Sequence, residues 1–180
     1  GIKWANQNTG KILGSASSVL VKETEGNASI FTASVIGSTL SSGGAVRTRV
    51  DWYAEQIYAS SVVAIMKYGV NNVGSVRLAP AGNSAVVTST FGFFEHILIG
   101  GAIATAQTGY FRVNVAETNP RVLNPSSVFF TTDTLLYHRA TSSVESSAEQ
   151  QLQMTVNLSN HGQTEKPLFR TTGFTVEKIT

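Results

Sequence analysis

Short runs of β-branched and aromatic residues recur along nearly the whole chain, and Ser, Thr, Gly and Asn rather than charges separate them. Val19-Leu-Val21, Ser61-Val-Val-Ala-Ile65, Glu95-His-Ile-Leu-Ile99, Tyr110-Phe-Arg-Val-Asn-Val115 and Gln151-Leu-Gln-Met-Thr-Val-Asn-Leu158 are examples. Runs of this length bounded by turn formers predict strands. Residues 46–53 alternate with a period of two, placing Val46, Thr48 and Val50 on one face and Arg47, Arg49 and Asp51 on the other. Residues 17–35 read as one long strand interrupted by a charged kink at 22–27. Further strands are expected at 57–68, 73–78, 94–99, 110–116, 128–131, 135–140 and 152–158, with a late edge strand at 173–179. Residues 37–44 and 141–150 read as Ser-rich loops, 69–72 as a turn, and 85–92 as a short helix or loop. Ala79-Pro-Ala-Gly-Asn83 breaks the pairing, because proline has no N–H for a ladder. About eight main strands joined by several long crossing loops predict an all-β protein, an eight-stranded jelly-roll β-sandwich.

Length and composition narrow this picture. A chain of 180 residues is enough for one domain with a sizeable core, and a hydrophobic content of 42% argues against disorder. Charged residues make up 13%, about half the usual share. A polar surface with so little charge lacks the common protection against association, which suits a subunit covered by its neighbours. The net charge of +2 does not by itself mark a nucleic-acid binder. No apolar run is long enough for a membrane-spanning helix, and no membrane partner is expected. The chain starts at Gly1-Ile-Lys-Trp4 without a signal-peptide pattern, and is expected to be part of a longer one.

Catalytic chemistry is not legible. With no cysteine, thiolate catalysis and Cys-based zinc sites are excluded. The three histidines, His96, His138 and His161, show no metal-ligand spacing, and no Gly-x-Ser-x-Gly elbow is present. Gly10-Lys11 resembles the end of a phosphate loop, but Ala5 and Ile12 break the motif. The eleven acids are scattered and single out no glycosidase pair. An enzyme is therefore not expected, and neither is a cofactor or a bound metal. Arg47 and Arg49 beside Trp52 and Tyr53 combine the residue types enriched at interface hot spots and are expected at a subunit contact. His96 and His138 are candidates for a pH-dependent assembly.

Several segments, taken in order, resemble one family. Ile99-Gly-Gly-Ala-Ile103, followed about fifteen residues later by Asn119-Pro-Arg-Val122, is similar to the coat proteins of tymoviruses, the turnip yellow mosaic group. Residues 127–134 and Leu135-Leu136 fall where that family has a short strand, a turn and a Leu-Leu strand. Val19-Leu-Val21 with Ala28-Ser-Ile30 resembles its first long strand, 73–83 its Val-Gly-Val…Pro-Ala-Asn segment, and Met154-Thr-Val-Asn-Leu-Ser159 its last strand. The resemblance spans about 15–168. A Pro-Ala-Gly-Asn with inserted Gly, a shorter arm and a tail from 169 depart from the pattern and fit a divergent member or a satellite-type virus coat.

The resemblance implies a viral capsid jelly roll of two four-stranded sheets, divided into an arm (1–14), a shell domain (15–168) and a C-terminal extension (169–180). It implies a structural coat protein that self-assembles, in 60 or 180 copies, into an icosahedral shell around single-stranded RNA. Localisation would be the virion, with assembly in the host cell cytoplasm. Gly100 and Gly101 would let two backbones approach where the shell narrows, and the turn at Asn119, Pro120 and Arg121 would lie at a subunit contact. Sixty copies at +2 carry about 120 positive charges and 180 copies about 360, far below the charge of a viral genome. Polyamines or divalent cations would supply the rest. Lys3, Lys11 and Lys22 would meet phosphates on the inner surface, and Trp4 would stack on a base. The alternative is a jelly-roll receptor- or glycan-binding module of a virion or phage spike.

Overall fold

The alternating runs become strands in a computed structural model of the chain, which describes residues 12–16, 20–22, 27–40, 43–55, 61–78, 89–117, 136–159 and 168–179. The strands are β1 (Ile12–Ala16), β2 (Leu20–Lys22), β3 (Asn27–Val35), β4 (Ala45–Glu55), β5 (Ser61–Tyr68) and β6 (Asn71–Leu78). They continue with β7 (Ser89–Gly100), β8 (Gln107–Glu117), β9 (Leu136–Ser142), β10 (Gln150–Ser159) and β11 (Leu168–Ile179). Among the described residues they form a seven-stranded sheet in the order β1-β11-β4-β7-β8-β9, with β2 also paired to β11. The second sheet has four strands, β3-β10-β5-β6. Every pairing is antiparallel. β4 pairs with β7 while the β5–β6 hairpin between them lies in the other sheet, and β10 crosses over to sit between β3 and β5. A chain that winds in this way across two packed layers is a jelly-roll β-sandwich.

Four expectations change in detail. The sheets have seven and four strands rather than four each, because β1, β2 and β11 extend the large sheet beyond β4. The two halves of the expected long strand separate: β2 pairs with β11 in the large sheet, and β3 with β10 in the small one. Residues 89–92, expected in a helix or loop, are the start of β7. The last strand is no edge. β11 runs along the whole of β4 on one side and carries β1 and β2 on the other. Its register slips between Thr171 and Gly173, so Phe169 and Thr171 face inward before the slip and Phe174 and Val176 after it. A bulge of this kind interrupts the period of two and hides half the strand from pattern reading.

The core lies between the inner faces of the sheets. β4 contributes Val46, Thr48, Val50, Trp52 and Ala54, as its alternation requires. Trp52 stacks on Phe94 and Phe169 at ring-centroid distances of 5.5 and 5.6 Å, and Phe94 meets Phe111 edge-on at 5.7 Å. The small sheet answers with Val62, Ala64, Met66 and Tyr68 from β5 and Leu152, Met154, Val156 and Leu158 from β10. Burying each of the larger side chains contributes about 1.5–3 kcal/mol. Along one side the sheet edges join: the Ser75 N–H donates to His138 Nδ1 at 3.1 Å, and Asn71 Nδ2 to Ser142 Oγ at 3.4 Å. The free edge of β6 is thereby covered by β9.

Candidate functional site

Four connections meet at one end of the sandwich: residues 36–40 with 43–44, the hairpin loop Gly69–Val70, residues 101–106 and residues 143–149. Backbone hydrogen bonds knit them together. Ser38 donates to the Ser146 carbonyl at 2.8 Å, Ser146 to that of Ala104 at 3.0 Å, and Gly100 to that of Gly44 at 2.9 Å. The Ser146 hydroxyl adds a second bond to Ala104 at 2.8 Å. Leu40, in a segment that shows no apolar pattern, is fully buried beneath them. Ser146 is buried too, so the Ser-rich loop expected at 141–150 is anchored at its middle. The tip is apolar: Val70 is 91% exposed, Ile103 64% and Ile36 50%, each on a different connection.

A second surface is the outer face of the seven-stranded sheet. Register aligns its side chains in rows. Arg47, Ile97, Tyr110 and Arg139 lie across β4, β7, β8 and β9, and Arg49, Glu95 and Arg112 form the row beside them. Arg170 pairs with Tyr53, which pairs with Phe91. Five of the chain's seven arginines therefore share this face, against three carboxylates, Asp51, Glu95 and Glu177, among its described side chains. Arg47 binds Glu177, Arg49 binds Asp51 at 3.0 Å, and Arg112 binds Glu95 at 2.5 Å. The Arg49 guanidinium lies 4.3 Å from the centre of the Phe93 ring, a cation–π distance. In the middle, Glu95, Ile97, Tyr110 and Arg112 line a cleft of about 290 Å³. By contrast, the outer face of the small sheet carries Ser29, Thr32, Gln153, Thr155 and Asn157 with Val63 and Ile65, and among the described residues register places two charged ones on it, Lys67 and, opposite Val63, Arg77.

The residues expected to carry function fall in several places. Arg47, Arg49 and Tyr53 are on the outer face, but Trp52 is not beside them. It is 2% exposed, within the aromatic core. Trp52 shares the parity of Val46 and Val50, so alternation, rather than adjacency to Arg49, decides its side. Gly100 and Gly101 do permit close approach, within the chain itself. A Cβ at Gly100 would fall inside the Leu40 carbonyl, and Gly101 donates to the Ala106 carbonyl at 2.5 Å. Lys22 is the end of β2, opposite Leu168, and its side chain lies outside the described residues. Lys3, Trp4, Lys11, Asn119, Pro120 and Arg121 also lie outside them. Glu95, Ile97, Tyr110, Arg112 and Arg139 escaped the sequence reading, since only cross-strand register brings them together.

Of the two described histidines, His96 is buried and His138 half-buried. His96 is fully buried on β7, and its Nε2 is 3.1 Å from the Val73 carbonyl of the facing sheet, which makes Nε2–H the donor. Gly109 leaves room there, because a Cβ would strike the same Val73 carbonyl. Burial pulls the His96 pKa down to about 4, against a smaller opposing effect of the Val73 bond. His138 accepts the Ser75 N–H bond between the two sheets. Among the described residues no group of three His, Asp or Glu side chains could hold a metal ion.

No family model matches this chain. No curated protein matches it either. Among solved structures it is similar to a chain of the infectious bursal disease virus Gt strain, at 9% identity and TM-score 0.39, over 97% of this chain and 33% of that one. It is similar to the VP2 subviral particle of the same virus at 9% identity and TM-score 0.37, over 94% and 32%. The winged bean acidic lectin complexed with methyl-α-D-galactose matches at 8% identity and TM-score 0.34, over 91% and 92%. The chain thus spans about a third of the length of the viral chains it matches.

Proposed function

We propose that the chain is the coat subunit of an icosahedral virion, assembling in 60 or 180 copies around single-stranded RNA, as its tymovirus-like sequence pattern implies. The observation that carries this reading is the knitted end of the sandwich. Three exposed β-branched side chains, Ile36, Val70 and Ile103, stand there on separate connections that hydrogen bonds and buried Leu40 hold in place. Apolar groups gathered at one end of a fold mark a surface that another protein covers, and closed symmetry supplies identical copies to cover it. The outer face of the small sheet, built mostly of amides, hydroxyls and the apolar Val63 and Ile65, supports the same reading. Amides and hydroxyls cost less to desolvate under a neighbour than charges do. On this reading the protein is structural rather than catalytic, its place is the virion assembled in the host cytoplasm, and polyamines or divalent cations neutralise most of the RNA.

Size exclusion and negative-stain microscopy of the expressed chain, with the 260/280 absorbance ratio, test the proposal. Uniform shells of roughly 20–30 nm are expected, the scale that closed icosahedral packing of small subunits produces. The double substitution Val70→Asp with Ile103→Asp should leave the far-ultraviolet circular dichroism unchanged and abolish the shells. A stable monomer or trimer of the unaltered chain, from low to high salt and with added RNA, would overturn the proposal and favour the receptor- or glycan-binding module.

A further inference from the structure

We infer that the arginine-rich outer face of the seven-stranded sheet binds single-stranded RNA, with the cleft lined by Glu95, Ile97, Tyr110 and Arg112 taking a base and Arg47 and Arg139 taking the flanking phosphates. The inference rests on the coat reading only for the identity of the nucleic acid; the surface itself is argued from its geometry.

Two facts select the ligand. Arginines and rings alternate here across four strands: Arg47 and Arg49 on β4, Phe91 and Phe93 on β7, Tyr110 and Arg112 on β8, and Arg139 on β9. Cations that track a backbone, interleaved with rings that stack on bases, are what sequence-tolerant recognition of single strands requires. A duplex keeps its bases stacked and paired, and has no base to insert into the cleft. In the central row Arg47 and Arg139 flank Ile97 and Tyr110, which line that cleft. The strand spacing sets the two arginines about 14 Å apart, so phosphates on either side of an inserted base can reach both. The excess of five arginines over three carboxylates has the sign that RNA needs.

A second protein copy fits this face less well. It would have to bury the three ion pairs of Arg47, Arg49 and Arg112, whose arginine side chains are now about half exposed, and it would carry no surplus of negative charge to meet the arginines. RNA brings that charge with it and leaves the face partly wet. The outer face of the small sheet serves as an internal control, because register places Lys67 and Arg77 there with no ring interleaved among its described residues.

Fluorescence anisotropy with a labelled single-stranded RNA of about 12 nucleotides tests the assignment, the length matching a site that spans one sheet. The unaltered chain should bind with a strong salt dependence. Arg47→Gln with Arg139→Gln should lower the slope of log K against log salt by roughly 1.4, and Tyr110→Ala should weaken binding about ten-fold. Lys67→Gln should change neither. Thiouridine-labelled RNA crosslinked to the unaltered chain should map to the peptides carrying Phe93 or Tyr110, a readout that needs no variant to fold. Unchanged RNA affinity in the arginine and tyrosine variants, or crosslinks confined to other peptides, overturns the inference. Microscopy of the same samples separates it from the coat reading. Shells with unaltered RNA content in the variants sink the RNA site alone, and RNA binding without shells sinks the coat reading alone. Loss of shells in the variants, with no RNA binding by the unaltered chain, would reassign the face to a contact between copies.

Discussion

At the scale of single residues, the most consequential side chain is His96. Its ring bridges the two sheets from β7 to the Val73 carbonyl of β6, in a place that holds only the neutral form. Burial sets its pKa at about 4, below the 6.5 of a free histidine. Between these values the unfolded chain binds the proton that the folded chain refuses, so stability is present above pH 6.5 and is lost as pH falls toward 4. The full effect is on the order of 3 kcal/mol, from 1.36 kcal/mol per unit of pKa. Urea unfolding at pH 7.0, 5.5 and 4.5 should show this decline, and His96→Leu should flatten it. An equal slope in both proteins would mean that other groups dominate. Any pH dependence of assembly that involves this residue therefore acts through the fold rather than across a subunit contact.

Among the elements, β11 matters most to the large sheet. It joins β4 along its whole length to β1 and β2, and its bulge at Thr171 to Gly173 keeps Phe169, Phe174 and Val176 all on the core side. Phe174 stacks on Phe31 of the opposite sheet at 4.5 Å, and Phe169 closes the aromatic cluster around Trp52. A chain truncated after Pro167 would lose these rings and leave the long strand β4 as an unpaired edge. It should be insoluble or unfold without a cooperative transition, as read by the urea-unfolding curve. If the truncated chain unfolds cooperatively with an unchanged midpoint, residues 168–179 are an appendage. The same element shows where pattern reading stops. Alternation is visible from Phe174 onward, but the bulge shifts the phase, and the first half of the strand then matches no single template.

For the whole molecule, stability and surface charge are separate matters. The apolar layer between the sheets holds the fold, while the three ion pairs sit on the outer face with arginines about half exposed. Such pairs contribute about 0–1 kcal/mol each and are screened by salt. Raising salt to about 1 M should therefore change the unfolding free energy by less than about 1 kcal/mol, whereas Trp52→Ala should cost on the order of 3–5 kcal/mol. A strongly salt-dependent urea midpoint would contradict this division. Charge on the outer face is then available for binding without being needed for folding.

Local pattern alone places most of the strands, turns Val46, Thr48 and Val50 inward and Arg47 and Arg49 outward, and ends a strand at Ile99-Gly100. These are local properties, written in a period of two and in turn residues close to the strand. It also held the answer for Trp52, whose parity with Val50 places it inside. That 20–22 and 27–35 belong to different sheets, that Leu40 and Ser146 are buried, and that β11 is interior follows from the packed fold and from no local pattern. Only that fold brought Arg47, Arg112, Arg139 and Arg170 from four strands onto one face beside Tyr110. The physical reason is register. Which strand pairs with which, and in what alignment, is settled by the packing of two apolar faces between residues far apart in the chain, and a local period carries no record of it.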